Sequence, residues 1–340
     1  MKNRLHWSLQ SPVAYLAACL IVYFGLWIGI PKARFLATLA QIIDSATKTA
    51  SLPVSILLSI CGIIVVSVPT ILFMAAQVSV VYQFSRLRLG FRGAALVWLG
   101  LFALLVMIVS GIIWRLDVVN KLHRWPTLRE IGFIVGMYRH GLLKMFMFAT
   151  ILLLASCTGY LVSLRIRDRN LLLPVVMFAA FIDLWTVSVG PVSTVMKRAP
   201  EVVSAVSAPI PQAGTGAFVP ALMMGLGDPL FMAVVFASVH KLGLNARRNY
   251  SFVLAIMTLA MLAVLLDFAP YIPALIALAV AVVLANWGQF KLSRQEKIST
   301  AIVALALIAT LPLVWYVLRP APPTEKSTHQ QHNRDSSSNP

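Results

Sequence analysis

The chain has 340 residues, of which 59% are hydrophobic and 11% charged, with a mean hydropathy of +0.86. A soluble domain carries about twice that charged fraction, so the soluble globular classes are excluded and a polytopic membrane protein is indicated. The formal net charge of +17 does not point to nucleic acid, because Lys and Arg fall in short clusters between apolar runs, where loops meet anionic headgroups.

In chain order, the first apolar run covers about 13–30. Lys2 and Arg4 ahead of it give the look of a signal peptide, but Pro31-Lys32 stands where a small-residue cleavage site belongs, so the run is read as a retained first span. Over 32–50, Phe35, Leu36, Leu39, Ile42 and Ile43 recur at helical spacing among charges, which predicts a short helix on the membrane surface. A second span runs from about 53 to 83, with a kink expected at Pro69, and closes with Arg86, Arg88 and Arg92. The third covers about 93–114.

A polar connection with Arg115, Lys121, His123, Arg124 and Arg129 follows; His123 and His140 lie far apart in Arg-rich surroundings and take no metal or catalytic assignment. The fourth span, about 142–164, ends in Arg165-Ile166-Arg167-Asp168-Arg169. Cys19, Cys61 and Cys157 each lie alone in an apolar run, with no CxxC and no histidine partner, and read as small packing residues.

The fifth span, about 171–189, contains Asp183. After it comes a loop with Lys197, Arg198, Glu201, Pro209-Ile210-Pro211 and Gly214-Thr215-Gly216, a composition that predicts irregular backbone. The sixth span, about 217–240, carries Asp228 within Gly225-Leu226-Gly227-Asp228-Pro229. The seventh, about 252–266, is joined to the eighth, about 273–287, by a tight turn holding Asp267. A ninth covers about 301–318, and from Arg319 the tail is rich in Pro, Ser, Asn and His and is expected to be disordered. The expected organisation is therefore an all-α polytopic membrane protein of about nine transmembrane helices: N-terminal helices over 1–164, a functional core over 165–290, an additional helix over 291–318 and a polar tail over 319–340.

Of the eleven acidic residues, Asp183 and Asp228 are the two well inside predicted spans. A carboxylate near the bilayer centre costs roughly 2.5–3.5 kcal/mol on insertion scales, so each needs a purpose. Asp183 lies about twelve residues into its span and Asp228 about eleven into the next, antiparallel one. At ~1.5 Å rise per residue the two carboxyls are expected to lie level. Two carboxyls held close share one proton, and such a pair activates a water with its ionised member and protonates a carbonyl oxygen with the other. Gly225 and Gly227 strip side chains from one side of Asp228, and Pro229 disfavours helical geometry at the residue before it, so the helix is expected to loosen at the aspartate. Irregular backbone at that depth is tolerated only against protein or a wet cavity.

Gly225-Leu226-Gly227-Asp228, with an aspartate on the preceding span and Pro273-Ala274-Leu275 downstream, resembles the GxGD intramembrane aspartyl proteases, the family of presenilin and signal peptide peptidase with their microbial relatives. The resemblance covers about residues 171–287. It implies a presenilin-like fold, Asp183 and Asp228 as the catalytic pair, Gly225, Leu226 and Gly227 shaping the site, and Pro273, Ala274 and Leu275 as the PAL element that helps hold substrate. It also implies transmembrane-helix substrates, no metal or organic cofactor, and a prokaryotic cytoplasmic membrane.

The GLGD within a span is the more specific signal; PAL is common in an Ala- and Leu-rich chain and occurs a second time at Pro220-Ala221-Leu222. Two departures stand out. Ile182 occupies the place before the first aspartate where the family usually has Tyr, and the motifs fall on predicted spans five, six and eight where presenilins use six, seven and nine. The type IV prepilin peptidases also carry a GxGD, but with a lysine two residues on, where this chain has Leu230.

A proton-coupled transporter, with Asp183 and Asp228 as its relay, would use the same mid-membrane carboxylates and broken helices; the inverted repeat it calls for is not evident. Orientation is not assigned by charge: placing the loop between the two aspartate spans inside leaves fourteen Lys and Arg on each side.

Overall fold

A computed structural model describes residues 5–49, 51–118, 123–137, 142–188, 208–209, 223–225, 227–266, 268 and 272–290, with a few further positions (294, 297–298, 301–302, 305 and 309). The described chain is helical apart from one two-residue strand pairing. In order it forms α1 (Leu5–Gly29), a 3-10 turn (Ile30–Lys32), α2 (Arg34–Thr49), α3 (Leu52–Ser85), α4 (Phe91–Arg115), α5 (Leu128–Met137), α6 (Leu142–Ser163) and α7 (Arg169–Ser188). Then come β1 (Ala208–Pro209), β2 (Met223–Met224), α8 (Gly227–Lys241), α9 (Ala246–Leu265) and α10 (Ala274–Ala285).

Among the described residues, five helical stretches are long and apolar enough to cross a membrane: Pro12–Lys32, Leu52–Ser85, Phe91–Arg115, Leu142–Ser163 and Ala246–Leu265. They match the first four and the seventh of the expected spans. The expected span over 301–318 falls largely outside the described residues, and the tail over 319–340 wholly so, as do His140, Lys197 to Glu201 and Asp267.

One element is the helix expected, with a packing the residues did not show, and another departs from expectation. The segment over 32–50 does form a helix, α2, but it turns directly into α3 and packs back along it; Ile43 Cγ2 lies 2.8 Å from where a Cβ on Gly62 would stand. With 34 residues, α3 is ~51 Å long against a hydrocarbon core of ~30 Å, so its N-terminal third has length to spare and supplies the surface on which α2 rests. Within the sixth predicted span, 217–240, the described helix begins at Gly227. Met223 and Met224 are instead extended and pair antiparallel with Pro209 and Ala208. The cause is local. Asp228 and Pro229 fall in the first helical turn, where a carboxylate meets the positive end of the helix and a missing N–H leaves no bond unmade.

The bundle is organised around α6 and α8. From Met232 to Val239 every residue of α8 is buried, as expected of an apolar helix surrounded by others: α6, α3, α9, α10 and α7. Lipid tails offer no hydrophobic drive between helices, so association rests on close packing of small residues and on interhelical hydrogen bonds. Both devices are present. At Gly159 of α6 an added Cβ would stand 2.1 Å from the Leu230 carbonyl oxygen and 2.9 Å from Ala233 Cβ, so α6 and α8 touch backbone to backbone. On the other side of α6, Cys157 Sγ lies 3.4 Å from the Ala94 carbonyl oxygen and Trp98 Nε1 donates to Thr158 Oγ1 at 3.0 Å, which ties α4 on and gives Cys157 the packing role expected of it.

The second device clasps α9 to α10. Asn249 and Asn286 are both fully buried and exchange reciprocal amide bonds of 2.9 and 2.7 Å, each amide nitrogen also reaching a backbone carbonyl of its own helix. Replacing Asn249 by Leu strands the Asn286 amide in an apolar interior. We expect Asn249→Leu to cost about 1–3 kcal/mol, read as a lower thermal midpoint in detergent, with the double Asn249→Leu, Asn286→Leu variant recovering part of the loss. Equal midpoints for all variants would show that the clasp contributes nothing.

Outside the spans, α5 opens with a capping box. Glu130 accepts from the Thr127 amide at 2.7 Å, while Thr127 Oγ1 accepts from the Glu130 amide at 3.4 Å. Arg124 grips the same carboxylate through both terminal nitrogens, at 2.6 and 3.0 Å, and these bonds hold the Glu130 carboxyl down at about 2.

Candidate active site

The two aspartates can be placed in depth from one end of the bundle. Arg169, the first residue of α7, donates from Nε to the Leu242 carbonyl at 2.8 Å, just past the end of α8. Lys241, the last residue of α8, donates from Nζ to the Leu164 and Ile166 carbonyls at 2.8 and 3.1 Å, which fixes it to the turn between α6 and α7. The start of α7 and the end of α8 therefore share a level. From there Asp183 is 14 residues along α7 (183 − 169) and Asp228 is 13 residues back along α8 (241 − 228). At 1.5 Å per residue these are ~21 Å and ~20 Å, so the carboxyls lie level within one helical turn.

Both carboxyls sit at helix N-termini. Pro273 caps α10, leaving the Leu275 amide among the first four N–H groups that no carbonyl of their own helix can satisfy. Asp183 satisfies it from another helix: Leu275 N–H donates to Asp183 Oδ2 at 3.0 Å. Asp228 stands in the first turn of α8, its own N–H reaching the Gly225 carbonyl at 3.4 Å. It lies within range of the Asp183 charge, so the two acids interact electrostatically. Both side chains are partly buried.

The strand pairing ends directly before this point. β2 leads through Gly225 into Asp228, and β1 lies alongside β2 with Ala208 opposite Met224. The glycines leave room beside the carboxyl. A methyl group at Gly227, which is exposed, would meet nothing within 4 Å, and one at Gly225 would come no closer than 3.9 Å to Asp228 Oδ2. Neither has a positive φ, so backbone conformation does not demand glycine at either place.

Of the residues singled out in the sequence, Asp183, Asp228, Gly225, Gly227, Pro273, Ala274 and Leu275 come together around the ends of α8 and α10; Leu226 and the second PAL at 220–222 lie outside the described residues. Pro273 and Ala274 are partly buried and Leu275 is buried. The contact the PAL segment makes is through the Leu275 backbone amide, which no residue type announces. Sequence reasoning also passed over Gly159, whose importance depends on a neighbour 71 residues away. Comparison with protein-family models, with curated proteins and with solved structures finds no match.

Proposed function

We propose that this chain is an intramembrane aspartic endopeptidase of prokaryotic cytoplasmic membranes, hydrolysing peptide bonds within transmembrane segments of other membrane proteins. The observation that carries the reading is the pair itself: two carboxyls on neighbouring helices, level in depth, with the PAL backbone bonded to one of them. Structural acids need no matched depth and no open space beside them.

In the proposed reaction one aspartate, ionised, takes a proton from a water held between the pair. The hydroxide formed attacks the scissile carbonyl carbon, and the other aspartate, protonated, delivers its proton to the carbonyl oxygen. Collapse of the tetrahedral intermediate breaks the C–N bond, with the proton taken up by the first aspartate passing to the leaving amine and the second aspartate taking back a hydroxyl proton as the C=O re-forms. A helical substrate hides its scissile carbonyl in its own hydrogen bonds and has to unwind first. The extended residues 208–209 and 223–224 support a way of stabilising the unwound form, by adding the substrate as a further strand beside the site. The open side of Gly227 supports the approach of that strand to Asp228.

The test is cleavage of a single-span reporter by purified protein in liposomes, with mass spectrometry of the products. The expected outcome is scission at a bond inside the span, lost in both Asp183→Ala and Asp228→Ala. Cleavage by either variant at the parent rate would overturn the pair as the catalytic centre.

A further inference from the structure

The end of the bundle opposite the aspartates gathers the helix ends of α3, α4, α6, α7, α8, α9 and α10. Bonds across it establish this directly. Tyr160 near the end of α6 both donates to the Leu89 carbonyl and accepts from the Leu89 amide in the turn between α3 and α4, at 2.9 and 3.0 Å. Lys241 and Arg169 tie α8 to α6 and α7, as described above. Arg248 of α9 donates to the Leu284 carbonyl near the end of α10 at 3.4 Å. Tyr82 of α3 stacks near both His240 and Tyr250, with ring centroids 5.4 and 4.7 Å apart.

Three short connections cross this end, and each carries three cations. Arg86, Arg88 and Arg92 lie at the first, between α3 and α4. Arg165, Arg167 and Arg169 lie at the second, between α6 and α7. Lys241, Arg247 and Arg248 lie at the third, between α8 and α9. Over 86–92, 165–169 and 241–248, nine Lys and Arg face a single acid, Asp168. Lys241, Arg169 and Arg248 are partly spent on helix-end carbonyls. The arginines at 88, 165 and 167 stand in these connections, and Asp168 is the acid among them.

The other end differs in kind. There Arg124 is held by Glu130, Lys144 is buried with its Nζ 5.7 Å from the Phe148 ring centroid, and Asp117 follows directly on α4. Its Lys and Arg are spread over longer stretches, six over 115–144 and two over 189–226.

We propose that the face formed by 86–92, 165–169 and 241–248 lies against the anionic headgroups of the cytoplasmic leaflet and that its arginines hold the chain in that orientation. The Asp183 and Asp228 carboxyls, ~20 Å in from that face across a core of ~30 Å, then stand nearer the opposite, non-cytoplasmic side. This placement does not rest on the catalytic reading, and its test reads topology and not cleavage.

The experiment uses the full chain expressed in the cytoplasmic membrane of a bacterial host, with Cys19→Ala and Cys61→Ala introduced. Buried Cys157 stays in place, and this parent is required to be silent toward a membrane-impermeant maleimide. Single reporters are then added: Trp125→Cys, exposed at the acidic-paired end, and Arg88→Cys or Arg167→Cys at the cationic end. The expected result is labelling of Trp125→Cys in intact cells, with Arg88→Cys and Arg167→Cys labelled only after permeabilisation. Labelling of either cationic-end cysteine in intact cells overturns the orientation. In a second arm, Arg86, Arg88, Arg165 and Arg167 are all changed to Gln in the Trp125→Cys chain. The labelled fraction in intact cells should then fall from near completeness toward about half; an unchanged fraction would overturn the role given to the arginines.

Discussion

Replacing either aspartate by its isosteric amide is expected to lower cleavage of a transmembrane reporter by at least ~10²-fold, and by up to ~10⁴-fold, while the protein still purifies as a folded species. That range is what a single positioned acid or base contributes to proton transfer. Asn keeps the shape of Asp183 and can still accept from the Leu275 amide through its side-chain oxygen, so the link at 3.0 Å between α7 and α10 has no reason to break. What Asn cannot do is exchange a proton with water or with a carbonyl oxygen. Because the pair acts as one device, the losses should not add: Asp183→Asn, Asp228→Asn and the double variant are expected to show the same residual rate, within a few-fold. Additive losses would mean that the carboxyls act independently. A stable, fully active Asp228→Asn would remove the proposed chemistry altogether. The amide variants are more telling than Ala, since an Ala at 183 also abandons the α10 amide.

A single methyl group at Gly159 is expected to be nearly as damaging, through position and not chemistry. In most helix interiors Gly→Ala gains ~1 kcal/mol. Here the new Cβ would stand 2.1 Å from the Leu230 carbonyl oxygen, a backbone atom that no rotamer change can clear, so α8 has to move away from α6. Overpacking of this kind costs about 1–3 kcal/mol. Leu230 is two residues from Asp228, so the same displacement reaches the carboxyl, and a misplacement of ~1 Å costs on the order of 10²-fold in rate. Gly111→Ala on α4 is the matched control, because a Cβ there meets nothing within 4 Å. The expected pattern is a lower thermal midpoint and a large loss of cleavage for Gly159→Ala, with no loss for Gly111→Ala. If both variants behave like the parent, the close approach of α6 and α8 is not what positions the aspartate.

Much of the membrane architecture was legible in the residues. Long apolar runs bounded by Arg clusters marked the five long spans to within a few residues, because crossing a bilayer as a helix needs ~20 apolar residues whatever their order. The two acids were legible for the converse reason: in so apolar a chain a mid-span carboxylate is conspicuous. Their level placement followed from counting residues, and it survived even though α8 begins ten residues later than the span read from hydropathy alone. That late start was itself written in the sequence. Asp228-Pro229 is a helix-opening pair, but an apolar run on both sides of it masked the signal.

Tertiary structure decided the rest, in each case because the deciding partner is distant along the chain. That Leu275 matters through its amide depended on α10 beginning at Pro273 beside Asp183, 92 residues earlier. That Gly159 cannot be enlarged depended on where α8 crosses α6. That the cations form one face, with orientation to be read from it, depended on which turns share an end of the bundle. Residue types alone determined a polytopic helical membrane protein with two buried acids on successive helices. Only the packing of those helices determined that the acids lie level on neighbouring helices and what lies at the other end of the helices that carry them.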